Sequence, residues 1–337
     1  MFRGPGEPLS IERVPDPSPE PGDLVLRVQG CGICGSDLHM SEQRMPPGMV
    51  MGHEYAGEVV EVGPEAAAGG WRTGERVCAL PLAGCGRCVH CHAGNVHFCQ
   101  AARSFGLGQA AGGYAEYVLA GAAESFRLPE ALDGVQGALV EPLAVGLHIV
   151  GAARLRAGDN VLVIGAGPVG VAATLWARHF GAREIGVSDP VAGRRELAGR
   201  QGATFEIDPG SQEVLPAFEA RAGGPPSVIL ECVGVPGMIQ AAFDAAPPQG
   251  RVVIAGVCIE RDSILPLGAV AKELSVRFAA YYNKTDFAYA LDMLASGRVD
   301  PSGLITDVIG LAELPAAFES LRRPTSQCKV VVDPCRG

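Results

Sequence analysis

The stretch NVLVIGAGPVG, Asn160 to Gly170, decides how the rest of the chain is read. Its first residues form a nearly continuous apolar run, as expected of a parallel strand covered on both faces. Gly165, Gly167 and Gly170 then fall at the spacing G-x-G-x-x-G, with Ala166, Pro168 and Val169 between them. Each glycine has its own physical reason: a tight turn at 165, room for a pyrophosphate at 167, and close helix–strand packing at 170. The start of the following helix would offer unpaired N–H groups and partial positive charge to the phosphates. Asp189 ends the next apolar run, where a carboxylate would accept hydrogen bonds from the adenosine ribose hydroxyls. A 2′-phosphate would meet like charge there, so Asp189 predicts NAD over NADP. Arg194 and Arg195 lie close downstream and leave some tolerance for NADP.

Around this turn, apolar strands alternate with helical segments. Leu143 to Ala153 has helical spacing, as do 170–180, 192–201 and 238–246, and strands are expected at 161–164, 184–188, 227–232 and 251–255. That alternation predicts a doubly wound parallel sheet. The first third differs. Short alternating strands at 23–28, 54–62 and 75–79 are separated by turns such as Pro21-Gly22 and Gly63-Pro64, which reads as an all-β unit with functional loops. After residue 283 come one helix, 286–296, and two strands, 304–308 and 329–332, without a further βαβ unit.

At 337 residues the chain predicts two domains. Hydrophobic content of 47% and charged content of 19% fit a globular protein with ample core. The net charge of −10 argues against a nucleic-acid partner, and no polybasic cluster suggests an anionic membrane surface. The opening MFRGPGEPLSIERV has neither the apolar core nor the cleavage site of an export signal. Eleven cysteines without such a signal predict a reducing compartment, taken as the cytoplasm, where thiols bind metal rather than pair.

Four of those cysteines, Cys85, Cys88, Cys91 and Cys99, are spaced C-x2-C-x2-C-x7-C in the polar, glycine-containing stretch GCGRCVHCHAGNVHFC. Such a loop buries too little apolar surface to shape itself, and four thiolates make a closed tetrahedral zinc site with no open position. The reading is therefore a structural zinc; two disulfides or four unrelated thiols are the competing account. A second set of donors could supply an open site. Cys34 lies in CGICGSDLH (31–39), His53 and Glu54 follow Gly52, and Glu141 precedes Pro142. A thiolate, an imidazole and a carboxylate suit zinc with one position free for substrate.

These segments come in a characteristic order. GHEYAGEVVEVG (52–63), the four-cysteine lobe and GDNVLVIGAGPVG (158–170) together resemble the zinc-dependent medium-chain dehydrogenases, the alcohol and polyol dehydrogenases, over nearly the whole length. The resemblance implies a GroES-like catalytic domain from both chain ends, 1–142 and 283–337, with the zinc lobe at 84–100. A Rossmann NAD-binding domain, 143–282, is inserted between them. It implies Cys34, His53, Glu54 and Glu141 as catalytic-zinc residues, with Glu54 direct or exchangeable and Glu141 direct or through water. A glutamate at 141, in EPLAVGLH, resembles the sorbitol and butanediol dehydrogenase branch. Asp37 would hold the His53 ring, and Cys31 and Cys78 would be core thiols.

The implied chemistry is deprotonation of a zinc-bound alcohol and hydride transfer from the alkoxide to nicotinamide. Ser36 and His39 would relay the proton outward. Lys329 would contact the cofactor pyrophosphate, and Val145 would pack near the nicotinamide. Met40 to Val50, Phe105 and Tyr281 would line the substrate cleft or serve the core. No basic polyol-binding residue stands out at 280–283, so a secondary alcohol, a diol and a hydroxyketone stay open beside a polyol. The expected assembly is a homodimer or homotetramer, with two zinc ions and one NAD per chain. The competing function is a zinc-stabilised NAD-binding protein with no dehydrogenase activity.

Overall fold

The structure, a computed structural model, describes every residue except Arg44, Pro324 and Gly337. Arg44 falls within the stretch 40–50 expected near the substrate cleft. The chain divides into two compact units. The first comprises Met1–Glu141, Tyr282–Arg323 and Lys329–Gly337, and the second Pro142–Tyr281 with Pro324–Cys328. That last short return to the second unit has no signature in the sequence.

The first unit is built on a seven-stranded sheet. Its central strand, Asp23–Gly32, pairs antiparallel with Glu54–Val62, Tyr117–Gly121 and Lys329–Val332. Cys31 lies opposite Val332 and Gly32 opposite Val331, so the last strand of the chain completes the sheet begun by the first. Ile305–Ile309 extends it on one side, and Arg76–Ala79 and Ser125–Arg127 on the other. Leu24, Leu26, Val28, Tyr55, Val59, Val77, Val330 and Val332 are buried in one apolar cluster. The returning segment opens with the helix Lys284–Ala295. There Asn283 Oδ1 accepts from the Asp286 amide and Asp286 Oδ2 from the Asn283 amide, a reciprocal cap that fixes where the helix begins.

The second unit is a six-stranded, all-parallel sheet in the order 205–207, 184–188, 160–164, 228–231, 251–254, 275–278. The helix Pro168–His179 follows the glycine turn, with Gly167 at its N-cap and Pro168 in its first turn, where a missing N–H costs nothing. Its residues from Gly170 to Ala177 are all buried. Helix Val214–Ala222 ends on Gly223 in the left-handed region, φ 70°. The combined stretch Gly134–Ala152 is long and apolar enough to cross a membrane, but 67% of it is buried inside the protein, as in a core helix.

Candidate active site and metal centres

The donor set in the first unit is positioned by a strand end and a helix start. Cys34 follows the central strand and precedes the helix Gly35–Gln43. Asp37, in the first turn of that helix, is completely buried. Its Oδ2 accepts from the Cys34 amide at 3.2 Å and from the Tyr114 hydroxyl at 2.6 Å. Its Oδ1 lies 3.1 Å from His53 Nδ1. A carboxylate there calls for a proton on Nδ1 and leaves Nε2 as the metal-facing lone pair. Nε2 points toward Ser36 Oγ at 3.4 Å, and Ser36 Oγ donates to Cys34 Sγ at 3.2 Å. Burial lowers the His53 pKa, but the Asp37 and Cys34 charges outweigh it and hold the ring well above the ordinary histidine range. Arg322 ties the far end of the helix down, donating to Ser41 Oγ at 2.8 Å. His39, one turn beyond Ser36 on the same helix, is half-buried.

Donor atoms of Cys34, His53 and Glu54 all lie within 4.8 Å of one another, with His53 and Glu54 buried. This spacing suits a single cation with thiolate, imidazole and carboxylate donors, the set that fits zinc. Glu141 adds a second carboxylate nearby. Burial, then the Glu54 charge, push its pKa up to about 7, against the pull of His53 and of the Tyr282 hydroxyl. Tyr282 Oη is buried without a partner in ordinary hydrogen-bond geometry, and Glu141 is the group it acts on through space.

Lys329 departs from expectation. Its side chain is 1% exposed, and its ammonium donates to Glu54 Oε1 and Oε2, both at 2.6 Å, and to the Ile33 carbonyl at 3.0 Å. It is therefore the counter-ion of Glu54, not a basic group offered to a pyrophosphate. Gly32 sits between them in the sheet. A Cβ there would stand 2.0 Å from Glu54 Oε2 and 3.0 Å from Lys329 Cδ, so the missing side chain is what lets the pair form across the strand. Of the two readings open for Phe105, the structure has the core one: it is wholly buried in the core of the first unit. Met45 and Val50 are buried in the same cluster, and Tyr281 is 39% exposed with φ 58°. Cys31 and Cys78 are buried thiols with raised pKa values, as core residues should be. Tyr114 and Tyr282 carry no signal in the sequence, because nothing in their neighbourhood along the chain marks a group whose partner is a carboxylate far away in the sequence.

The four-cysteine lobe holds its sulfurs within 4.8 Å of one another. Sγ of Cys88 and Cys91 are 3.5 Å apart, and those of Cys85 and Cys91 4.0 Å. Zn–S bonds of about 2.3 Å in a tetrahedron require edges of about 3.8 Å, so the cluster has the size of a four-thiolate zinc site and none of its members is paired in a disulfide. The Arg87 amide draws the Cys85 thiol down to about 6, whereas burial raises Cys91 to about 12. Gly84 makes room for the site, since a Cβ there would lie 2.7 Å from Cys91 Sγ.

In the second unit the three glycines separate as their chemistry requires. Gly165 has φ +96° and would clash with Val233. A Cβ on Gly170 would stand 1.9 Å from the Gly165 carbonyl oxygen. Gly167 has φ −68°, open to any residue, and nothing lies within 4 Å of its would-be Cβ. The protein itself does not demand glycine at 167, so the space there fits an approaching dinucleotide. Asp189 is 5% exposed; its Oδ2 accepts from the Ala166 amide at 2.9 Å and its Oδ1 from the Val191 amide at 2.8 Å, which fixes the carboxylate beside the turn. Arg194 is tied back, its Nε donating to the Thr325 carbonyl at 2.8 Å, and Arg195 donates to the Asp189 carbonyl. Val145 is half-buried on the helix Val140–Ala152.

Residues 20–130 match the alcohol dehydrogenase GroES-like domain, and residues 168–296 match the zinc-binding dehydrogenase domain. The (R,R)-butanediol dehydrogenase of Bacillus subtilis is 32% identical over 97% of this chain and 96% of its own. A zinc-binding dehydrogenase from Sinorhizobium meliloti 1021, solved bound to NADP, superposes with a TM-score of 0.85 at 35% identity, over 95% of this chain and 94% of that one. A dehydrogenase from Escherichia coli CFT073, solved with NADH, gives a TM-score of 0.88 at 29% identity, over 98% and 97%. With both domain families matched in order and relatives aligned end to end, the chain belongs to the zinc-dependent medium-chain alcohol dehydrogenases, in the branch that includes sorbitol and butanediol dehydrogenases.

Proposed function

We propose that the protein transfers a hydride between a secondary alcohol, diol or polyol and NAD, with zinc held by Cys34, His53 and the carboxylates of Glu54 and Glu141. The observation that carries this reading is the clustering of Cys34, His53 and Glu54 donors within 4.8 Å, on a histidine oriented by a buried aspartate. Zinc at this place supplies a Lewis acid, which eases loss of the alcohol proton and polarises the carbonyl in the reverse direction. Asp37, itself fixed by Tyr114 and the Cys34 amide, keeps the Nδ1 proton and aims Nε2. The proton that Glu141 binds near neutrality is one that a divalent cation displaces. Lys329 balances Glu54 and sets how much negative charge that carboxylate offers. Ser36, within reach of both Cys34 Sγ and His53 Nε2, takes the first proton step and His39 the next.

Cys85, Cys88, Cys91 and Cys99 hold a second, structural zinc. Gly165, Gly167 and Gly170, with the Pro168–His179 helix start, seat the pyrophosphate, and Asp189 selects NAD over NADP. The substrate class follows relatives named for butanediol, for sorbitol and for 2-dehydro-3-deoxy-L-galactonate. A homodimer or homotetramer is supported by the apolar edge of the second unit, where Leu265, Leu267, Val270 and Phe278 are 64% to 70% exposed. Eleven cysteines, four of them gathered as a metal-binding cluster, support a cytoplasmic setting. A panel of diols, polyols, amino alcohols and aryl alcohols, followed by NADH absorbance with NAD and with NADP, tests the reading. It requires turnover of at least one vicinal diol or secondary alcohol, faster with NAD; no turnover across the panel by zinc-loaded protein refutes it.

A further inference from the structure

The second unit carries a cleft of 780 Å³ at the opposite end of its sheet from the glycine turn. It is walled where three parallel strands begin, by Ser227, Arg251 and Ser275 among others, and Arg154, Arg156 and Arg277 also line it. Among the described residues, no carboxylate lines it. The Arg251 guanidinium is spent on structure: it pairs with Asp159 Oδ1 at 2.6 Å and donates to the Ala153 and Arg154 carbonyls. Arg154, Arg156 and Arg277 are exposed and have no carboxylate partner among the described residues. Three exposed arginines without a carboxylate partner among the described residues thus line one concavity in a chain whose net charge is −10. Two of the four described non-glycine residues with left-handed backbone, Arg154 at φ 50° and Gln249 at φ 59°, also line it. Strained backbone of this kind persists where surrounding structure holds it and gathers at binding sites.

We propose that this cleft binds a small phosphorylated metabolite carrying two or more negative charges. Guanidinium forks match phosphate oxygens two at a time, and a volume near 800 Å³ suits a sugar or nucleotide phosphate. The acidic remainder of the surface disfavours an extended polyanion, which could not confine itself to the cleft. Bound there, the ligand bridges the 153–159 loop to the starts of the strands at 251 and 275. That loop leads into Asn160–Ile164, the strand that ends at the dinucleotide turn.

The test is isothermal titration of fructose 1,6-bisphosphate into zinc-loaded protein saturated with NADH, so that the cofactor site is filled. One site per chain is expected, with affinity reduced at least about tenfold in R156E/R277E, the loss of one or two charge-assisted contacts. R156K/R277K keeps the charges but loses the forked geometry, and should bind more weakly than wild type and more tightly than R156E/R277E. R221E, which reverses an exposed arginine outside the cleft, should bind as wild type. Unchanged melting and NADH-forming activity in each variant show that the fold is intact. No measurable binding by wild type, or equal affinity in R156E/R277E, overturns the proposal. The readout does not depend on alcohol turnover, so it fails separately from the dehydrogenase reading.

Discussion

Replacing Lys329 by Met probes the pair on which the carboxylate side of the metal site rests. Both side chains are 1% exposed, and the ammonium is 2.6 Å from each Glu54 oxygen. At that distance, with an effective dielectric of about 20, the attraction is about 6 kcal/mol. The cost of taking both ions out of water offsets much of this, but methionine leaves Glu54 buried and uncompensated, which costs about 3–5 kcal/mol. For a unit of this size each kcal/mol moves the midpoint by about 2–4 °C, so K329M should melt roughly 6–20 °C lower. Differential scanning calorimetry of K329M, E54Q and K329M/E54Q, each made in the C34A background that lacks the catalytic metal, measures it against C34A alone. The double variant removes both charges and should recover at least half of the loss. A shift under about 2 °C in K329M, or a double variant no better than K329M, would refute the reasoning that the pair is desolvated and mutually dependent.

Other consequences follow from the same geometry. G167A should melt within about 1 °C of wild type and yet lose NAD affinity at least about tenfold, because its methyl group meets only the ligand; G170A, facing the Gly165 carbonyl, should destabilise the fold itself. Y114F removes a 2.6 Å hydrogen bond to Asp37 and should weaken zinc binding at the Cys34–His53 site by about 10–100-fold, read by competition with a chromophoric chelator, while the four-cysteine zinc stays in place. In C34A protein, which lacks the catalytic metal, the Glu141 carboxyl is protonated when folded up to pH about 7 but ionises near 4.5 when unfolded. The folded state then binds more protons between those values, so stability falls as pH rises from about 4.5 to about 7, by roughly 3 kcal/mol at most. Thermal melts of C34A/E141Q should show that slope reduced, and an unchanged slope would contradict the placement of Glu141.

The glycine turn is legible in the sequence because its three positions are constrained by three local reasons, and the structure separates them at the same residues. The zinc lobe is legible because four sulfurs packed into so short a polar stretch can do little else. The partnership of Lys329 with Glu54 is not. It depends on sheet order, which sets the first, second and last strands of the unit side by side, and on the absence of a side chain at Gly32. Tyr114 and Tyr282 escape for the same reason, since each meets its carboxylate from far along the chain. The strand Ser275–Phe278 is hidden because its four residues are all exposed, which removes the apolar run expected of a parallel strand. The helix Gly35–Gln43 leaves little trace either: its weakly apolar sequence carries little periodicity, and anchoring by Arg322 and Asp37 supplies what the sequence lacks.

The central claim is that Cys34 and His53 hold a reactive zinc distinct from the structural one. Elemental analysis of wild-type and C34A protein, paired with NADH formation on the best alcohol of the panel, tests it most directly. Two zinc ions per chain in wild type and one in C34A, with alcohol-dependent NADH formation lost and the fold retained, is the predicted result. A C34A protein that keeps two zinc ions, or turns over at the wild-type rate, would contradict it.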